Sequence, residues 1–159
     1  MKDVFQERTL EDTRHHALLA LLKTAGVIEK VGMKHFVQYG LTPAQYDVLI
    51  VLKLNGGAMT QVGLSRLLTA SRANVTGLVD KLQEKKFIER KSVEGDRRSF
   101  AVTLTARGRK KVDEVEPLYL ETVKTIMAPF SAEECKRIMT YTERLTRQLS
   151  IIGGDDAEG

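Results

Sequence analysis

The most restrictive feature of this sequence is a change in hydrophobic period near residue 87. Before that point, two short apolar stretches repeat at helical spacing, with a three-residue break between them at residues 69–71. After it, apolar and polar residues alternate on two segments that flank residues 94–98, a charged turn containing a glycine. Two short helices joined by a tight turn and followed by a β-hairpin make a winged helix-turn-helix. The pattern therefore predicts a mainly α fold with a small β-wing.

The two short helices are expected to differ in polarity. The first begins at Thr60, and the second begins at the capping residue Ser71 and carries more polar side chains. The positions expected to be buried in the first helix are Leu64, Leu67 and Leu68. Those expected to be buried in the second helix are Val75, Leu78, Val79 and Leu82. We therefore interpret the second, more polar helix as the recognition helix.

Long amphipathic helices are predicted on both sides of this centre. Residues 13–37 form one, and Thr42 and Gln45 make a capping box for the helix that follows it. Two more helices are expected to begin at the capping residues Thr105 and Ser131. The apolar stripes of the terminal helices have no other partner in a chain of 159 residues. We expect them to bury against each other or against a second copy, which makes the protein a homodimer.

These segments predict the domain organisation of the chain. Its parts are an N-terminal dimerisation helix at 1–40, a winged helix-turn-helix domain at 41–105, C-terminal dimerisation helices at 106–152 and a polar tail at 153–159.

Positive charge is concentrated in the central third of the sequence. Residues 60–111 hold thirteen Lys or Arg and five Asp or Glu, a net charge of +8. The preceding 59 residues carry a net +1, and residues 112–159 carry a net −5. A basic segment of this kind is typical of proteins that bind a polyanion such as DNA, although a solvated basic face would look the same.

Other classes of protein are disfavoured by what the sequence lacks. No stretch reaches the roughly 18 apolar residues of a membrane helix, and the charged N-terminal segment is unlike a signal peptide, so we expect a cytoplasmic protein with no membrane partner. The single Cys135 permits no intrachain disulfide, and the histidines His15, His16 and His35 match no metal-ligand spacing. Motifs of hydrolases, nucleotide-binding proteins and metalloproteases are missing. We therefore expect no catalytic residues, no metal and no cofactor.

Short motifs in a fixed order extend this interpretation. They are LTPAQY at 41–46, LVDKL at 78–82, IER at 88–90, and DRR at 96–98 followed by LT at 104–105 and Gly108. Their order and spacing resemble the MarR family of bacterial transcription regulators, and the fit runs from about residue 13 to 150. The resemblance implies a homodimer that binds a pseudo-palindromic operator in double-stranded DNA, usually as a repressor released by a small ligand or an oxidant.

The sequence departs from the family pattern directly after the recognition helix. Members of the family usually have glycine there, whereas this chain has Lys86. A lysine in a left-handed helix cap would cost on the order of 1 kcal/mol. We therefore expect the helix to end differently in this protein.

The candidate base-reading residues are the polar positions of the recognition helix. A helix fits the major groove of DNA, and the residues near its N-terminus reach the base edges. Arg72 can donate to guanine and Asn74 to adenine, while Thr76 can contact a thymine methyl group or a phosphate. The candidates are Ser71, Arg72, Asn74, Thr76 and Lys81. The competing interpretation is that these side chains only solvate an exposed helix.

The wing supplies a second set of candidates in Asp96, Arg97 and Arg98. An arginine on a thin hairpin can enter the narrow minor groove, and an aspartate beside it is better suited to orient an arginine than to meet phosphate. The resemblance assigns groove entry to Arg98 and support to Asp96. A surface salt bridge that stiffens the turn is the alternative.

The remaining DNA candidates are expected to contact phosphates, which fix register but carry no sequence information. They are Thr60, Gln61, Arg90 and Lys91, with Ser65, Arg66, Lys85 and Lys86 as further members of the set.

An effector site is implied by the resemblance alone. It would lie near the first, second and fifth helices, bind a small aromatic or phenolic molecule, and include Tyr46. The alternative is that Tyr46 is a core aromatic residue. A winged helix that docks to another protein rather than to DNA also remains open, and the salt dependence of duplex binding separates the two.

Overall fold

The structure, a computed structural model, describes residues 13–68, 70–93 and 96–153, except for the side chains at 93 and 96–99. The elements in chain order are α1 (Thr13–Val37), α2 (Pro43–Leu54), β1 (Ala58–Thr60), α3 (Gln61–Leu67), α4 (Arg72–Glu84), β2 (Ile88–Val93), β3 (Asp96–Leu104), α5 (Ala106–Met127) and α6 (Ala132–Gly153). The predicted winged helix-turn-helix, mainly α with a small β-wing, is confirmed.

The sheet has three antiparallel strands in the order β1-β3-β2. The hairpin β2–β3 is the predicted wing, with Ile88 opposite Leu104. On the other side of β3, Met59 of β1 lies opposite Val102. The strand β1 was not predicted, because three residues are too few to show alternation.

The core lies where α2, α3 and α4 pack on the sheet. Leu49, Leu64 and Val79 are completely buried there, as the helical period requires. The expectation for Leu67 was wrong, because its side chain is 56% exposed. The helix α3 has only seven residues, and Leu64 alone of them is buried.

The end of α4 contradicts the expectation that this helix would end without a left-handed lysine. Lys86 adopts a left-handed conformation with a φ of 59°. Its N–H donates to Gln83 O at 2.8 Å, and the N–H of Phe87 donates to Leu82 O at 3.0 Å. This is the Schellman arrangement that usually takes glycine at the left-handed position. The carbonyl of Lys86 also accepts a hydrogen bond from the hydroxyl of Thr105 at 2.8 Å, so the neighbouring structure holds the strained residue in place.

The start of α5 is fixed against the base of the wing. The Oγ1 of Thr105 accepts from Gly108 N at 3.0 Å, which confirms the predicted cap. A Cβ at Gly108 would lie 2.0 Å from the carbonyl oxygen of Phe87 and 2.9 Å from Leu104 Cδ1. A side chain has no room at this position. The helix can approach the backbone just before β2 this closely only because the residue is glycine.

The described chain divides into two compact units between Val115 and Glu116. In the second unit, α6 begins at the predicted capping residue Ser131, in a capping box in which Glu134 Oε2 accepts from Ser131 N at 2.8 Å. Hydrogen bonds from the Ser131 hydroxyl and backbone lower the pKa of the Glu134 carboxyl below its ordinary value. None of the residues of α6 is buried within the chain. Its apolar residues include Ile138, Leu149 and Ile152, which are exposed.

Candidate nucleic-acid interface

The recognition helix α4 is buried on one face and exposed on the other. Val75, Val79 and Leu82 are completely buried. The polar positions predicted to meet DNA are exposed, and they are Ser71, Arg72, Asn74, Thr76 and Lys81. A helix anchored in this way presents a fixed row of polar side chains to solvent, as reading a groove requires.

The first turn of α4 is held by local hydrogen bonds. The Oγ of Ser71 accepts from Asn74 N at 3.2 Å, so the hydroxyl acts as the helix cap. The Oγ1 of Thr76 donates to Arg72 O at 2.9 Å. Both hydroxyls are thus committed to the helix backbone in this state, while the side chains of Arg72 and Asn74 are exposed. Arg72 and Asn74 are therefore the better placed pair for base contacts.

The start of α3 is organised by a second hydroxyl cap. The Oγ1 of Thr60 accepts from Gly63 N at 3.1 Å, and Thr60 itself is exposed. The neighbouring Gln61 is half-buried, and within the described residues its Nε2 is buried without a hydrogen-bond partner. Its amide is therefore turned into the protein rather than toward solvent.

Arg90 connects the wing to the recognition helix. Its Nη2 lies 2.5 Å from Asp80 Oδ1, and its Nη1 donates to Gln83 Oε1 at 2.9 Å. Both acceptors are on α4, and Arg90 is on β2. The guanidinium therefore fixes the angle between two elements that are both predicted to meet DNA. The next residue, Lys91, pairs with Glu89 at 2.8 Å in an exposed contact of little energetic weight.

The ammonium of Lys85 is directed into the protein. It donates to Gly40 O at 2.6 Å and to Gln45 Oε1 at 2.9 Å, which uses two of the three donors of an ammonium. Lys85 is half-buried, whereas its neighbour Lys86 is exposed. Only the second of these two adjacent lysines is thus presented to solvent as a phosphate contact would require.

The predicted wing-tip residues Asp96, Arg97 and Arg98 belong to the first part of β3. Their side chains lie outside the described part of the structure, so their roles remain predictions. The pairing of β2 with β3 is irregular between Ser92 and Val93, close to the tip of the wing.

Tyr46 lies in the hydrophobic core of the first unit. It is 2% exposed, and its ring stacks on Phe36 with centroids 4.6 Å apart. The aromatic contacts continue to His35, whose ring meets that of Phe36 edge to face at 5.0 Å. Tyr46 can line an effector site only if this stack opens.

The described residues contain no group of three or more His, Cys, Asp or Glu side chains placed to hold a metal ion. Each helix in the described ranges is too short or too polar to span a membrane. Cys135 is a free thiol at intermediate exposure near the start of α6.

Three contacts around the candidate interface could not be predicted from the sequence. The Arg90–Asp80 pair and the Lys85–Gly40 bond join residues 10 and 45 positions apart, and long-range partners of this kind leave no local pattern. Gly108 belongs to the family motif, but the spacing of the motif does not indicate that its backbone approaches Phe87 so closely. The only usable signal was the pair of opposite charges at Asp80 and Arg90 on consecutive elements.

The fold and this surface define a winged helix-turn-helix protein of the class that reads double-stranded DNA. Its architecture matches solved regulators over most of its length. The crystal structure of AbsC from Streptomyces coelicolor has a TM-score of 0.82 at 21% identity, covering 89% of this chain and 97% of that one. The DNA complex of MepR from S. aureus has a TM-score of 0.74 at 22% identity, covering 82% and 96%. At these identities the likeness shows the fold.

Sequence comparison identifies the family. The sequence model of the MarR family matches residues 39–99. The regulator MhqR of Bacillus subtilis (strain 168) is 30% identical over 120 residues, which are 76% of this chain and 77% of that protein. The chain belongs to the MarR family of DNA-binding transcription regulators, as the motifs indicated. Its relatives are regulators, a class that is not enzymatic.

Proposed function

We propose that this MarR-family regulator is a homodimeric repressor that binds an inverted-repeat operator and is released by a small effector. The observation that carries the proposal is the one-sided burial of α4, which is anchored through Val75, Val79 and Leu82 and exposes Arg72 and Asn74. A two-fold dimer presents two such helices to successive major grooves, about one helical turn apart.

The base-reading role falls first to Arg72 and Asn74, because both are exposed in the first turn of α4. An arginine donates to guanine O6 and N7, and an asparagine pairs with adenine N6 and N7. Ser71, Thr76 and Lys81 complete the reading face. Thr60 and Lys91 supply phosphate contacts, which set the register of the dimer on the duplex, and Gln61 joins them only when its amide turns toward solvent. Arg97 belongs with the wing residues. Arg90 affects DNA binding by positioning the wing against α4, in addition to any phosphate that it contacts.

The wing role falls to Arg98 in the minor groove, with Asp96 orienting it. Arg98→Ala is expected to weaken sites with A·T-rich flanks most, because their narrow groove has the strongest negative potential. Asp96→Ala should resemble a weaker form of the same defect. Tighter binding by Asp96→Ala would instead show that the carboxylate merely repels phosphate. Affinities for operators that differ only in their flanks distinguish these results.

Dimerisation is assigned to the terminal segments, 1–40 and 106–152. The helix α1 exposes apolar residues over its whole described length, and the second unit exposes a comparable set. The exposed apolar residues of α1 are Leu18, Leu21, Leu22, Val27, Ile28, Val31, Met33 and Val37. Apolar surface of this extent is typical of an interface rather than of a monomer. Light scattering at micromolar concentration should report a dimer.

The effector is proposed to be a small aromatic or phenolic molecule that opens the Tyr46–Phe36 stack. A regulator of the same fold, the organohalide-sensing RdhR-CbdbA1625, was solved with 2,4-dichlorophenol bound, although it is only 16% identical. The protein would act in the cytoplasm, where its DNA target is, and by binding rather than by catalysis.

Selection of binding sites from random duplex DNA by the purified protein tests the proposal. The selected sites should be inverted repeats, and affinity should fall steeply with salt as phosphate contacts are screened. Sites without dyad symmetry would contradict the dimeric reading. Salt-independent or absent DNA binding would favour the alternative, a winged helix that docks to another protein. Arg137→Ala removes an exposed charge on α6 outside the predicted DNA contacts, and it is the control for general electrostatics once light scattering has shown that the variant is still a dimer.

A further inference from the structure

The single ammonium of Lys85 joins three helices of the first unit. Lys85 is the C-cap residue of α4, the predicted recognition helix. Its Nζ donates at 2.6 Å to the carbonyl of Gly40, the residue that ends the turn after α1. It also donates at 2.9 Å to Gln45 Oε1, which is part of the cap of α2.

The acceptors of this ammonium are themselves held in place. Gly40 is left-handed with a φ of 70°, and Leu41 N donates to Phe36 O at 3.1 Å in a Schellman turn that closes α1. Gln45 is 3% exposed, and its Oε1 also accepts from Thr42 N at 3.3 Å. Charge-assisted hydrogen bonds to such fixed acceptors restrict the position of the donor more than bonds to mobile side chains do.

We propose that Lys85 is a positioning residue that sets the placement of the recognition helix relative to α1, and thereby the half-site spacing that the dimer accepts. The inference rests on the proposed function, in which α1 belongs to the dimer interface and α4 reads the operator. The helix α1 packs on α2, and α2 packs on α4. Lys85 adds a direct bond between the end of α4 and the end of α1, so that the distance between the two copies of α4 depends on it.

A phosphate contact, the role first expected for Lys85, predicts a different behaviour. Losing one phosphate contact weakens binding to every duplex and lowers the salt slope by about one. Losing a positioning contact leaves the salt slope and the base preference of each half-site intact. It broadens the spacing between half-sites that the dimer tolerates.

The experiment uses the full-length protein and the operator obtained by selection, with versions that have one base pair inserted or removed between the half-sites. One base pair shifts a half-site by about 3.4 Å and turns it by about 35°. Lys85→Met keeps the aliphatic stem and removes the ammonium. For this variant, we expect the ratio of affinities between the selected spacing and the altered spacings to be about tenfold smaller than for the wild type. A factor of about ten is the scale of one charged hydrogen bond. Lys85→Arg, which keeps the charge and the donors, should recover part of the discrimination.

Lys86→Met is the matched comparator, since it removes the same charge one residue further along and its side chain is exposed. Its spacing discrimination should equal that of the wild type, whatever its salt slope. If Lys85→Met does not fold, Lys85→Gln carries the test, because its shorter amide cannot reach both acceptors.

Unchanged spacing discrimination in a folded Lys85 variant would overturn the inference, whether it came with a lower salt slope or only with a lower melting temperature. A wild type that binds the repeat and discriminates between spacings upholds the proposed function even then. A wild type that does not bind an inverted repeat would overturn both.

Discussion

Replacing Lys86 by glycine should stabilise the protein, because the lysine has a φ of 59° at the end of α4. The left-handed conformation costs a residue with a Cβ about 1–2 kcal/mol. Glycine removes that cost but adds freedom to the unfolded chain worth about 0.4–1 kcal/mol. The net expectation is a gain of about 0.5–1 kcal/mol in the free energy of unfolding, which corresponds to about 1–4 °C in Tm for a chain of this size.

Chemical denaturation at a fixed protein concentration is the suitable assay, since dimer stability depends on concentration. Lys86→Ala is the control, because it loses the same charge and stem but keeps the Cβ. It should be no more stable than the wild type. Equal stability of the glycine and alanine variants would refute the reasoning, since it would show that backbone strain at residue 86 contributes nothing measurable.

Three further results are expected. Gly108→Ala should destabilise the protein by about 2–3 kcal/mol in the same assay, because the new Cβ would meet a backbone carbonyl at 2.0 Å, whereas Gly77→Ala, with nothing within 4 Å, should be neutral or stabilising. In binding titrations, Arg72→Ala should weaken operator binding by about 1–3 kcal/mol and relax the base preference at one symmetric operator position, while Lys91→Ala should weaken binding to all duplexes alike. Unchanged specificity of the arginine variant would show that α4 does not face the DNA as proposed. Glu134 should titrate below its ordinary pKa of 4.5, so its capping contribution is complete above pH 4.5 and lost as pH falls through the lowered value. NMR titration of the carboxyl group should show that pKa rising when the capping serine is replaced by alanine, and an unmoved pKa would count against the cap.

Local sequence patterns predicted much of this fold, because most of its helices and strands follow the preferences of their own residues. The caps at Thr42, Thr105 and Ser131 each satisfy backbone groups within three residues, so the sequence alone determines them. The change of period near residue 87 predicted the wing for the same reason.

The failures have the opposite origin, because they depend on distant parts of the chain. A lysine takes the glycine position at residue 86 while the hydroxyl of Thr105, 19 residues away, bonds to its carbonyl. Lys85 was expected to meet phosphate, and its ammonium instead reaches a carbonyl 45 residues away. A local sequence pattern cannot predict either of these hydrogen-bond partners. The base contacts of Arg72 and Asn74 depend on a molecule outside the chain and stay predictions.

The contacts of Arg90 limit how this regulator can be retargeted to a new operator. Because its guanidinium holds Asp80 and Gln83, those two positions of α4 are committed to keeping the wing in place. If Arg72 and Asn74 read bases as proposed, the freedom to change base preference is concentrated at these two positions in the first turn. A library that randomises the whole exposed face of α4 would mostly return variants with a misplaced wing. A library restricted to those early positions should give variants with a changed base preference that bind DNA in the same orientation as the parent protein.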